Sequence, residues 1–75
     1  MEKIHTGRYV IVNPSTGKVE LRLTSGGSPL CYFADNAELA MLSGNVIQVN
    51  LKNGSVIFYK LSSDGYCVSG PYMSL

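Results

Sequence analysis

Along most of the chain apolar positions alternate with polar ones, and Pro, Gly, Asn and Asp cut the alternation at short intervals. A period of two is the mark of half-buried strands, and the interruptions read as turns. Residues 18–23 alternate strictly, and residues 8–13 form an apolar, β-rich run before them. Pro14-Ser15-Thr16-Gly17 separates the two. Pro sets the φ of a turn's first corner, and Gly takes a positive φ at its end. A four-residue loop sets Asn13 against Lys18, Val12 against Val19 and Val10 against Leu21. Ile11 then faces Glu20, and Tyr9 faces Arg22, on the other side. One face is wholly apolar and the other mixed, so this hairpin register is self-consistent.

Residues 24–29 read as a flexible link and residues 30–33 as a short strand. A short helix is expected over residues 36–43. Asp35 can cap it, Glu38 completes a capping box, and Ala37, Leu39, Ala40, Met41 and Leu42 favour helix. Gly44 stands where a left-handed residue would stop it. Residues 45–52 and 55–61 then form a hairpin around Asn53-Gly54, the signature of a two-residue type I′ turn. That loop pairs Lys52 with Ser55, Leu51 with Val56, Val49 with Phe58 and Ile47 with Lys60. The expected core face carries Ile47, Val49, Leu51, Val56 and Phe58. The opposite face carries Val46, Gln48, Asn50, Ile57, Tyr59 and Leu61. Ser63-Asp64-Gly65 marks a further turn of two to four residues, and residues 66–69 a last strand ended by Gly70-Pro71. Residues 1–6 and 72–75 read as loose tails.

The expected fold is therefore mainly β: an antiparallel meander of five to six strands, curled into a small SH3-like barrel, with one short helix. The alternative is an α+β open sheet with that helix packed on one face. Seventy-five residues make a single small domain, which buries only ~60% of its unfolded surface. Charged residues make up 15% of the chain, against ~25% in ordinary soluble domains. They cluster at turns and on the first hairpin, so the 46–61 hairpin has few on either side. The net charge is +1 with no run of cations, so copies repel one another little. No apolar h-region follows the first charges, and no apolar stretch approaches a membrane span. A cytoplasmic location is expected, with Cys31 and Cys67 as reduced thiols rather than a disulfide.

Candidate chemistry is sparse. His5 is the one histidine, and nothing pairs it with Cys31 or Cys67 in the manner of a nucleophile and its base. Asp35, Glu38, Asp64 and Glu20 all have structural work at caps, at a turn or beside Arg22. Gly26-Gly27 precedes Pro29 and a strand, not the helix a phosphate loop requires. No metal-ligand spacing and no cofactor site is expected. Five tyrosines stand out. Tyr9, with Arg22 and Lys18, resembles a surface for single-stranded nucleic acid, though the even charge weighs against it. The leading expectation is a non-enzymatic protein-interaction module that associates through an apolar sheet face, either with another protein or with itself as a homodimer. Its expected contact face is Val46, Ile57, Tyr59 and Leu61, because exposed apolar patches mark partner surfaces.

Overall fold

The computed structural model describes residues 7–75 as seven strands in two antiparallel sheets. The first sheet joins β1 (Arg8–Val12), β2 (Val19–Leu23) and β3 (Cys31–Ala34). The second joins β4 (Ala37–Ser43), β5 (Val46–Leu51), β6 (Val56–Leu61) and β7 (Val68–Ser74). The β1–β2 register is the one its alternation predicts, from Tyr9 opposite Arg22 to Val12 opposite Val19. Asn13 N–H donates to Lys18 O at 2.8 Å and closes the four-residue loop.

The expected helix over 36–43 is replaced by β4, and no helix occurs among the described residues. Neither helix-bearing architecture therefore holds. Two local features decide this. Asn36 sits at φ +54°, outside the right-handed helical region, so Asp35 caps nothing. The Asn36 carbonyl accepts from Lys52 N–H at 2.9 Å, while Ala37 N–H donates to Gly17 O at 2.9 Å. Both bonds draw the segment into extended pairing. Gly44, φ +60°, is the first corner of a two-residue turn between Ser43 and Val46, the arrangement of type II′. A positive-φ glycine serves a hairpin as well as a helix end, and tertiary pairing overrides the helix propensity of Ala, Leu and Met.

The β5–β6 hairpin differs from expectation by one residue. Gly54 N–H donates to Leu51 O, and Leu51 N–H to Ser55 O. The loop is thus the three residues Lys52–Gly54, with Gly54 at φ +93°. Ile47 faces Tyr59, Val49 faces Ile57, and Val46 faces Lys60. The slip turns β6 over relative to β5. It has a clear benefit: the two-residue loop would have set Lys60 beside Ile47 in the core, an uncompensated buried charge. The three-residue loop sends Lys60 outward and brings Tyr59 and Leu61 in.

The core holds Val19, Leu21, Ala37, Ile47, Val49, Tyr59 and Leu61. Both sheets contribute, and the rings of Phe33 and Tyr59 join them edge to face, with centroids 4.9 Å apart. β1 lies beside β4, but the sheets share no strand pairing, so the expected closed barrel is not formed. The β6–β7 loop has four residues, with Ser62 N–H on Cys67 O, and sets Val68 opposite Leu61. β7 then continues through Gly70-Pro71 to Ser74, where a loose tail was expected. Gly70, φ +126°, leaves room that a side chain would fill: an added Cβ would meet Tyr72 N at 3.0 Å and Tyr59 Cα at 3.3 Å. The expected tail 1–6, with His5, lies outside the described residues.

Candidate functional site

Cross-strand neighbours in an antiparallel sheet point to the same side, so the register of the second sheet defines its outer face row by row. One row is Leu39, Asn50, Val56 and Leu75; Val56 and Leu75 exchange both backbone hydrogen bonds, at 3.2 and 2.7 Å. The next is Met41, Gln48, Phe58 and Met73. The third is Ser43, Val46, Lys60 and Ser69. The first two rows are apolar on β4, on β6 and along β7 with Leu75 just beyond it, and polar on β5, with exposed Glu38 beside Leu39 at the β4 bulge. Leu39, Met41 and Met73 are 50%, 46% and 47% exposed, and Leu75 is 77% exposed. Val56 and Phe58 are half-buried between them. In the middle, Gln48 Nε2 donates to Asn50 Oδ1 at 2.9 Å.

This is a sheet face that the sequence pattern assigns differently. Of the four residues expected there, only Val46 lies on it. Tyr59 and Leu61 are buried in the core, and Ile57 packs against it. The same one-residue slip accounts for all three. Leu39 and Met41 were hidden by the helix expectation, although Leu39-Ala40-Met41-Leu42 can equally be read as out, in, out, in. Burial pushes the Tyr59 phenol above its ordinary pKa, with Asp35 adding to the effect.

The outer face of the first sheet gathers the nucleic-acid candidates. Tyr9 and Arg22 are cross-strand neighbours, and Ile11, Glu20 and Tyr32 form the adjoining row. Tyr9 and Tyr32 are exposed, but Glu20 between them is buried. Arg22 Nε donates to Glu20 Oε1 at 2.8 Å, and Asn13 Nδ2 donates to Glu20 Oε2 at 3.0 Å. These two bonds hold the Glu20 carboxyl below the usual carboxylate range, against the opposing effect of burial. Arg22 Nη1 is also spent, on Gly27 O at 3.1 Å. Lys18 lies 4.0 Å from Asp35, at a shallow depression of about 260 Å³ that Tyr32, Phe33 and Ala34 complete. Both cations of this face are therefore met by carboxylates.

Cys31 and Cys67 are free. Burial pushes the Cys31 thiol up, with Cys67 nearby adding to the shift and a hydrogen bond from the Val68 backbone opposing it. Among the described residues no three His, Cys, Asp or Glu side chains gather as metal ligands, and no helix is long and apolar enough to cross a membrane. Comparison with protein-family models, curated proteins and solved structures finds no match.

Proposed function

We propose that this chain is a small, non-enzymatic protein-interaction module that associates through the outer face of its four-stranded sheet. The observation that carries this is the set of apolar side chains that flank the Gln48–Asn50 pair: Leu39 and Met41 on one edge, Met73 and Leu75 on the other, each about half exposed or more, with half-buried Val56 and Phe58 on β6. Leaving such side chains in water forgoes roughly 25 cal/mol for each Å² that a partner would cover. Association by strand addition is less well served. β3 is only four residues long, and β7 carries Pro71, which has no N–H to offer. β4 lies beside β1. The face, not an edge, is the accessible feature.

Single-stranded nucleic acid is the weaker alternative. Tyr9 and Tyr32 offer stacking surfaces, but Arg22 and Lys18 already face Glu20 and Asp35, which leaves little charge for phosphates.

A photo-crosslinking side chain placed at position 41, with a second chain carrying it at position 11, tests the proposal in cell extract. Position 41 is expected to give protein adducts that excess unmodified chain competes away and that Leu39→Lys removes. Position 11, on the outer face of the other sheet, is expected to give few. Equal labelling from both positions, or none from position 41, would overturn it.

A further inference from the structure

We propose that the occupant of this face is a second copy of the chain, held face to face about a two-fold axis. The inference rests on the interaction-face proposal above and follows from the order of residues within the rows. Consider an axis lying in the interface, perpendicular to the strands and midway between the Leu39 and Met41 rows. It carries each strand onto its own copy and exchanges the two rows. Met41 then meets the partner's Leu39, Phe58 meets the partner's Val56, and Met73 meets the partner's Leu75. Apolar side chains cover apolar side chains on three strands of four.

The fourth strand, β5, matches as well. Gln48 comes to lie over the partner's Asn50. The bond from Gln48 Nε2 to Asn50 Oδ1 leaves an acceptor, Gln48 Oε1, and a donor, Asn50 Nδ2. The axis sets each Gln48 acceptor before the partner's Asn50 donor, so two reciprocal hydrogen bonds satisfy the polar centre. Exchanging O and N in both amides leaves one donor and one acceptor again, so the match does not depend on that assignment. Among the described residues of the three rows the one charge, Lys60, falls in the third row; Glu38, exposed at the bulge between Ala37 and Leu39, lies at the β4 edge of the contact. The axis sends the two copies of the third row to opposite rims, where the Lys60 charge stays in water. A net charge of +1 adds little long-range repulsion.

The size of the face sets the strength. Four strands about 4.8 Å apart and the two facing rows, about 6.7 Å apart, span roughly 260 Å² in projection. Two such faces cover roughly 500–700 Å² once side-chain relief is counted, below the usual size of a stable dimer. A weak, reversible dimer with a Kd on the order of 100–500 µM is expected.

Sedimentation velocity of the full chain from about 1 to about 500 µM tests this. The mass is expected to rise from 8.1 kDa toward twice that value. Met41→Lys is expected to weaken the dimer at least about tenfold, by setting a charge against the partner's Leu39. Gln48→Glu tests the polar match: it sets a carboxylate in each half of a desolvated centre and is expected to keep the chain monomeric at neutral pH. Dimerisation returns as the pH falls to about 5, where carboxyls facing a desolvated centre regain their protons. Ile11→Lys, on the other sheet, is expected to change nothing. Circular dichroism checks that each variant is folded. A wild-type chain that stays monomeric up to about 500 µM overturns the self-pairing; adducts from position 41 to other proteins would then leave the interaction face standing. A dimer that survives both Met41→Lys and Gln48→Glu pairs through another surface and overturns this self-pairing.

Discussion

Glu20 shows how a single side chain can look exposed in a pattern and be buried in the fold. It alternates outward on β2, yet it is only 3% exposed. Asn13 and Arg22 make that tolerable, each donating to one carboxylate oxygen. Because these bonds lower its pKa in the folded chain, Glu20 binds its proton less readily folded than unfolded. Its stabilising contribution is therefore present above the unfolded carboxyl pKa, ~4.3, and is lost as the pH falls through the lower folded value. Glu20→Gln is expected to lower the urea midpoint at neutral pH. The gap to wild type should close on acidification to about pH 3. A gap that stayed constant with pH would assign the loss to packing instead.

At the scale of elements, the turns decide which side of each strand is inside. The Lys52–Gly54 loop shifts the β5–β6 register by one residue and so exchanges the faces of β6. Gly54 holds this loop at φ +93° with no heavy atom near enough to meet an added Cβ. Gly54→Ala therefore isolates the backbone cost. It is expected to destabilise the chain by about 1–2 kcal/mol in chemical unfolding. Gly54→Asn should cost less, because Asn tolerates the left-handed region. Equal stability of Gly54→Ala and wild type would show that the turn re-forms without the positive φ.

For the molecule as a whole, thickness matters most. Its shortest dimension is 15 Å, enough for two sheets about 10 Å apart and no third layer. The described residues therefore leave the outer faces of both sheets open. So thin a core has little in reserve. Seventy-five residues give a folding free energy of roughly 4–11 kcal/mol. Ile47, fully buried where the sheets meet, is expected to cost about 2–5 kcal/mol on truncation to Ala. Thermal unfolding of Ile47→Ala should show a transition lowered by many degrees or a chain largely unfolded. Leu39→Ala, on the outer face, should leave the monomer's transition nearly unchanged.

By itself the chain's alternation determined six of the seven strands, the β1–β2 hairpin and its register, and the turn punctuation around Asn53-Gly54 and Ser63-Asp64-Gly65. Those depend on neighbours within a few residues, where side-chain period and turn chemistry act directly. Whether residues 37–43 were helix or strand was not decided locally, since Ala, Leu and Met serve a helix readily and Gly44 fits either ending. Pairing with β5, the bond from Ala37 N–H to Gly17 O and that from Lys52 N–H to Asn36 O decided it. The contact face was equally out of local reach. One residue more or less in a glycine turn places either Tyr59 and Leu61 or Val56 and Phe58 outside. Only the first sheet, packing against one of those alternatives and excluding Lys60 from the core, selects between them.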